Sequence, residues 1–141
     1  MNAGDDGLFI ALRGQHFNGN MFFNDAYNKG LRNFIIDESI NITSYPHTNI
    51  LMVANTTKAL QQIAAYHRQQ FKIPIIGITG SNGKTIVKEW LSLLMQDEYN
   101  IVKSPGSYNS QVGVPLSVWQ ITSGHTRGVL EAGISQPGAR Q

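Results

Sequence analysis

The sequence contains no cysteine. Disulfides and thiol chemistry are therefore excluded, and the absence fits a reducing compartment. Charge is also sparse: Asp, Glu, Lys and Arg make up 14% of the 141 residues, with 11 basic against 9 acidic and a formal net charge of +2. The basic residues are scattered, so no nucleic-acid partner is indicated. No apolar run approaches the roughly 20 residues that a membrane span needs. The opening stretch, MNAGDDGLFIALRG, has neither a basic n-region nor a long apolar h-region and does not read as a signal peptide. There is no internal repeat and no low-complexity tract. What is present is a hydrophobic content of 41%, enough at this length to build a core and to exclude disorder. A cytoplasmic α/β protein without membrane insertion is expected.

Elements follow from periodicity. GLFIAL (7–12), NFIID (33–37) and NILMVA (49–54) read as strands. Residues 20–30 read as a helix on the spacing of Phe23, Ala26 and Tyr27, with Asn20 as its cap and Gly30 as its end. A longer helix runs from Asn55, its cap, to about Phe71 on the stripe Leu60, Ile63, Ala64, His67 and Phe71. His67 on that stripe reads as a partly buried core histidine rather than a ligand. Pro74 and a new apolar run, IPIIGIT, place a domain boundary near residue 73. Beyond the glycine-rich loop, Val87, Trp90, Leu91 and Leu94 repeat at helical spacing to about Asp97. YNIVKS (99–104) reads as a strand and SPGSYNSQVG (104–113) as a loop. VPLSVWQI (114–121) reads as a short helix with Pro115 in its first turn, and RGVLEAG (127–133) as a strand. Alternating strands and helices predict a parallel sheet.

The strongest chemical signal is GITGSNGKT, residues 77–85. The general phosphate-loop pattern is G-x-x-x-x-G-K-[ST], whose first glycine would fall at position 78, where this chain has Ile78. The loop nonetheless lies between a β-branched strand and an amphipathic helix, the setting such a loop needs. Glycines permit positive φ and close backbone approach, so that successive N–H groups and the helix N-terminus face phosphate oxygens. Thr79, Gly80, Ser81, Asn82, Gly83, Lys84 and Thr85 are the candidate nucleotide-binding residues. Lys84 would neutralise β- and γ-phosphate charge, and Thr85 would offer its hydroxyl to Mg²⁺. The plainer reading of the stretch is a glycine-rich turn between strand and helix.

Glu131 closes the strand GVLEAG. A carboxylate at the carboxyl end of a parallel strand, beside a phosphate loop, is placed to hold Mg²⁺ directly or through water; the plainer reading is an exposed or capping residue. Ser107 and Asn109 sit in a loop that would line the same crevice and are otherwise ordinary turn residues.

Several stretches together resemble the Mur ligase family. GITGSNGKT followed by VKEW is similar to that family's ATP loop, T-G-x-x-G-K-[ST], which tolerates a non-glycine at the position of Ile78. Lys88-Glu89 after the loop, GSYNSQVGVPLSVW (106–119) and VLEAGISQPG (129–138) are most like the members that join D-Ala-D-Ala to UDP-MurNAc-tripeptide. LFIALRGQHFNGNMFFNDAYNKG resembles part of the family's N-terminal UDP-substrate domain. The wording of 104–120 and 131–138 looks like the subgroup fused to an alanine racemase. The resemblance implies a partial UDP-MurNAc-binding domain over 1–73 and the first part of a parallel-sheet ATPase domain over 74–141. It implies Arg13, Gly14, Asn18, Gly19 and Asn20 as the loop for the UDP-sugar substrate, Asn109 as a nucleotide-site residue, and Thr85 and Glu131 as Mg²⁺ ligands. It also implies a monomer.

Departures from the family pattern fall at Ser107 and Ser110, which replace asparagines, at Asn18 and Asn20, which replace Asp and His, and at SQPG (135–138). The family's Asp-Ser-Arg segment, the Mg²⁺-binding His and carbamylated lysine of the central domain, the C-terminal domain and a racemase lysine region are not found. The chain therefore reads as an internal fragment, inactive alone. The implied reaction of the whole enzyme is phosphorylation of the tripeptide carboxylate by ATP. ADP leaves in that step, the D-Ala-D-Ala amine attacks the acyl phosphate, and the adduct collapses to amide and phosphate. Lys84 would carry the charge neutralisation at the transferred phosphoryl group. Alternatives are another amide ligase of the superfamily, tripeptide-forming or folylpolyglutamate-forming, a nucleotide-binding module without catalysis, and a generic P-loop kinase or GTPase.

Overall fold

The structure is a computed structural model and describes residues 7–133. The chain forms two compact units, Met1–Leu60 and Gln61–Gln141, which are described separately.

The first unit holds a parallel sheet of β1 (Leu8–Ile10), β4 (Asn33–Ile36) and β5 (Asn49–Met52), with β4 in the middle. The two-residue strands β2 (Arg13–Gly14) and β3 (Phe17–Asn18) pair antiparallel in the excursion after β1. Helix α1 (Phe23–Asn28) follows, and Thr56 opens α2 (Thr56–Gln69). The core joins Ala11, Phe23, Ala26, Phe34 and Ile36, flanked by Phe9, Tyr27 and Tyr45. Its aromatic rings pack tilted or edge-on, Phe23 at 4.1 Å from Phe34 and 4.8 Å from Tyr45 between centroids, the arrangement that ring quadrupoles favour.

The helix expected over 20–30 starts differently. A 3-10 turn covers Gly19–Phe22, and its cap is Asn18, not Asn20: Asn18 Oδ1 accepts the Asn20 N–H at 3.0 Å. The cause is crowding. Gly19 N–H donates to Leu12 O at 2.8 Å, and a Cβ on Gly19 would lie 2.6 Å from that same oxygen. The turn is thereby pinned one residue early. Gly30 does end the segment, with φ +95°, and Asn55 caps α2 by accepting the Lys58 N–H at 2.8 Å.

The second unit runs β6 (Ile75–Ile78), α3 (Lys84–Met95), β7 (Ile101–Lys103), α4 (Gly113–Trp119), β8 (Arg127–Glu131). Its sheet is parallel with order β6-β8-β7, so the last strand is the central one. Gly128, Val129, Leu130 and Glu131 are all buried there. Pro115 lies in the first turn of α4, where its missing N–H has no intrahelical partner to lose.

Helix α3 inverts the expected core stripe. Val87, Trp90 and Leu94 are exposed, and the buried residues are Lys88 and Ser92. Thr85, Lys88 and Ser92 follow one helical face, and α3 packs against β7 and β8. That face meets strand ends rich in backbone oxygens, which an ammonium group satisfies and an alkyl group does not. Among the described residues, no helix is long and apolar enough to cross a membrane.

Candidate functional site at the end of the central strand

The glycine-rich loop of the second unit joins β6 to α3. Ile78 is the last residue of β6 and pairs with Glu131 of β8; Ala132 N–H donates to its carbonyl at 2.9 Å. Position 78 is therefore extended strand, where no glycine is needed, and the loop proper begins at Thr79. Gly80 and Gly83 carry φ of +148° and +76°, values that L side chains reach only at a cost. Gly77 is not among the positive-φ glycines and sits in the strand opposite Leu130. Two of the three glycines are thus fixed by conformation. Ser81, Asn82 and Gly83 are exposed along the loop. Gly83 caps α3, so the unpaired N–H groups of the first helical turn open beside them. Lys84 arcs back over the loop and donates from Nζ to Gly80 O at 2.7 Å.

Thr85, one residue on, faces the sheet. Its Oγ1 donates to Glu131 Oε2 at 3.2 Å. Glu131 is fully buried, and its own N–H donates to Ser104 Oγ at 3.0 Å. The carboxylate is answered by Lys88, also fully buried, whose Nζ lies 3.0 Å from Oε1. That approach is off the hydrogen-bonding direction, and Oε1 has no hydrogen-bond partner. The same ammonium donates to Ser104 O at 2.8 Å and to Gly106 O, and stands 3.3 Å from Glu89 Oε1. Glu89 in turn pairs with Lys103. Hydrogen bonds from Lys103 first, then Lys88, hold the Glu89 carboxyl below its ordinary range.

This donor set fits Mg²⁺. Thr85 Oγ1 and Glu131 Oε2 are hard oxygens 3.2 Å apart, while Oε1 lies against the Lys88 ammonium. Mg²⁺ is commonly held by one or two protein oxygens with water and phosphate completing the octahedron. Among the described residues there is no cluster of three His, Cys, Asp or Glu, the arrangement that an all-protein metal cage would use.

The loop expected over 104–113 runs to the same strand end. Asn109 O accepts the Gly133 N–H at 2.7 Å. A Cβ on Gly133 would lie 2.5 Å from that oxygen and 3.2 Å from Asn109 Oδ1. The structure thus brings Asn109 beside the chain just past Glu131. Ser110 acts locally, where its Oγ accepts the Gly113 N–H at 3.0 Å at the start of α4. Ser107 is exposed. His67 is half-buried in the second unit, bonded through Nε2 to Ile121 O at 2.9 Å and packed on Phe71 and Trp119, a packing role.

In the first unit, the candidate substrate loop is already engaged. Arg13 Nε donates to Asp37 Oδ2 at 2.7 Å and its Nη2 to Glu38 Oε1 at 2.5 Å. Asn18 Nδ2 donates to Glu38 Oε1 at 3.1 Å, and Asn20 Nδ2 to Asp37 Oδ1 at 2.6 Å. Arg13 and Gly14 are exposed, whereas Gly19 and Asn20 are buried. Burial pushes the Asp37 carboxyl up, but the hydrogen bonds from Arg13 and Asn20 together with the guanidinium charge outweigh it, and the net direction is downward. Asp37 and Glu38 hold the Arg13 guanidinium charged.

Residue-by-residue reading missed Lys88 and Ser104 as parts of the site, and Asp37 and Glu38 as partners of the first loop. One signal for Lys88 was available: it lies three residues past Thr85 and four before Ser92, on the face that Thr85 directs at the sheet.

Comparison with known proteins shows what the chain is similar to. Residues 78–141 match the Mur ligase middle domain. The chain is 38% identical over 131 residues to the UDP-N-acetylmuramoyl-tripeptide–D-alanyl-D-alanine ligase of Buchnera aphidicola from Acyrthosiphon pisum, covering 93% of this chain and 28% of the relative. It is 34% identical to the ligase of that name from Bacillus subtilis, with the same coverage. Among solved structures, MurF from Acinetobacter baumannii superposes with a TM-score of 0.88 at 30% identity, over 96% of this chain and 29% of that one. MurF ligase from Thermotoga maritima, solved in complex with ADP, gives 0.84 at 29% identity, over 96% and 31%. Residues 78–141 thus match the Mur ligase middle domain, and the chain is similar, over nearly all its own length and under a third of theirs, to proteins named UDP-N-acetylmuramoyl-tripeptide–D-alanyl-D-alanine ligase or MurF.

Proposed function

We propose that the intact protein uses ATP to join D-Ala-D-Ala to UDP-MurNAc-tripeptide through an acyl phosphate, a step of peptidoglycan precursor synthesis. The observation that carries this reading is the meeting of Thr85 and Glu131, 3.2 Å apart at the end of the central strand, directly beside a loop that presents Lys84. Relatives that bear the ligase name over 93% of this chain supply the reaction, and an ADP complex among the similar structures supports the nucleotide.

The chemistry follows from charge. A carboxylate repels nucleophiles, so its oxygen must first take the γ-phosphoryl group, with ADP leaving. The amine of D-Ala-D-Ala then attacks the acyl carbon, phosphate departs with the bonding pair, and the amine gives up its proton. Loose phosphoryl transfer leaves the protein mainly positioning and charge neutralisation to supply. Backbone N–H groups from Gly80 to Thr85 would cradle the phosphates, and Lys84 would follow the transferred group. Thr85 and Glu131 would hold Mg²⁺, which when bound withdraws charge from the phosphate oxygens. Asn109 would border the nucleotide.

Residues 1–73 are assigned as part of the UDP-substrate domain and 74–141 as the opening of the ATP-binding domain. In the first segment, exposed Arg13 and Gly14 would meet the substrate, while Asn18, Gly19 and Asn20 would shape the loop behind them. Mg²⁺, a cytoplasmic location and a monomeric ligase, of the subgroup fused to an alanine racemase, complete the reading. The test is ADP release by the intact protein with UDP-MurNAc-tripeptide and a panel of amines. Release that depends on D-Ala-D-Ala is expected. Dependence on a diamino acid or on glutamate would move the protein to another ligase of the superfamily.

A further inference from the structure

Lys88 is the one fully buried lysine among the described residues, and nothing in the reaction above uses it. Its ammonium sits among four oxygens: Ser104 O, Gly106 O, Glu131 Oε1 at 3.0 Å and Glu89 Oε1 at 3.3 Å. These come from the residue just past β7, the turn beyond it, the end of β8 and α3 itself. Three ammonium protons cannot satisfy four acceptors at once. The two backbone carbonyls take hydrogen bonds, and Glu131 Oε1 is held by charge alone.

We propose that Lys88 is a positioning residue for the metal-facing carboxylate. By drawing Oε1 to itself, it turns Oε2 toward Thr85 Oγ1, so that a single carboxylate oxygen is presented to a divalent cation. By holding Ser104 O and Gly106 O with the same group, it fixes the start of the loop that carries Asn109 to that strand end. Two walls of the site are therefore set by one side chain rising from the helix that begins at the phosphate loop. A counter-ion alone would need no contact with the 104–106 turn. A cap for that turn alone would need no carboxylate.

The inference rests on the Mg²⁺–ATP reading of Thr85 and Glu131, and one experiment separates the two. ATP affinity of the intact protein is measured by calorimetric titration with and without Mg²⁺, for the wild type, Lys88→Met and Lys88→Arg, with thermal unfolding as a check on folding. The wild type is expected to bind ATP more tightly with Mg²⁺. That enhancement should fall at least tenfold in Lys88→Met. In Lys88→Arg, which keeps the charge but spreads it over a planar fork, it should fall at least threefold. Lys88→Arg retains a buried cation and serves if Lys88→Met does not fold. A purely structural lysine would lower the unfolding temperature and leave the enhancement unchanged; a folded variant with the wild-type enhancement overturns the proposal. A wild type without any Mg²⁺ enhancement overturns the metal-site reading and this inference with it.

Discussion

Both parallel sheets place a carboxylate at the carboxyl end of their central strand. Asp37 follows β4 in the first unit, and Glu131 ends β8 in the second. Each is answered by one cation, and there the likeness stops. Glu131 and Lys88 are fully buried, on strand and helix, and the lysine also holds two backbone carbonyls. Asp37 is matched by an arginine whose side chain is 45% exposed and by the amide of Asn20. The buried pair has no water to fall back on, so its geometry is rigid and its loss severe. In the other pair the arginine is open to solvent and salt while the carboxylate is largely covered, so it orders a loop without fixing it. The first arrangement would suit the proposed metal and phosphate site; the second would suit the proposed surface for a large, polar substrate.

The largest effect should come from breaking the buried pair. Glu131→Ala leaves buried Lys88 with only the half-exposed Glu89 as counter-charge, and is expected to lower stability by about 3–5 kcal/mol, read by denaturant unfolding of the intact protein. Removing both charges in Lys88→Met with Glu131→Leu should recover more than half of that loss. A double variant as unstable as the single would show that the pair is not the cause. Next in size is Lys84→Ala, which should cut ADP formation at least about a hundredfold. Its unfolding free energy should shift by less than about 1 kcal/mol. Near-normal turnover would remove Lys84 from its assigned role.

Two glycines sharpen the contrast between the loops. Gly83→Ala places a Cβ at φ +76° and should cost about 1–2 kcal/mol. Gly19→Ala meets backbone atoms at 2.6 Å and should cost about 1–3 kcal/mol, with crowding rather than conformation as the cause. Gly77→Ala, in open space, should stay within about 0.5 kcal/mol when the three are compared by thermal unfolding. Equal losses at all three would refute the distinction.

The smallest effect belongs to Arg13→Gln. Because Asp37 titrates below its ordinary range in the folded state, its contribution is complete above the unfolded value of ~3.9. That contribution disappears as pH falls through the lower folded value. Arg13→Gln should thus be less stable than wild type above about pH 4, and the two should converge in stronger acid. The gap at neutral pH should shrink with added salt. A gap that widens in acid would contradict the direction assigned to Asp37.

Much of this was legible in the residues. The alternation of strands and helices, the glycine-rich loop between strand and helix, and Glu131 at a strand end follow from period and local chemistry, because they depend on neighbours a few positions apart. Ile78 becomes intelligible once it is seen as strand paired with Glu131. Other features depend on contacts between distant segments. Lys88 reads as a surface charge until strands 16 to 43 residues downstream in sequence bring oxygens to it. The early turn at Gly19 depends on the backbone of Leu12. The engagement of Arg13 with Asp37 and Glu38 spans two strands, a 3-10 turn and a helix. Val87, Trp90 and Leu94 suggested a core-facing stripe by period alone, but period cannot say which face of α3 meets the sheet.

The central claim is that the two carboxylates have different roles. It is tested most directly by ATP titrations of the intact protein, with and without Mg²⁺, for wild type, Glu131→Gln and Asp37→Asn. Loss of the Mg²⁺ enhancement in Glu131→Gln, with Asp37→Asn unchanged from wild type, is the predicted result. An enhancement that survives in Glu131→Gln, or that falls equally in Asp37→Asn, would contradict it.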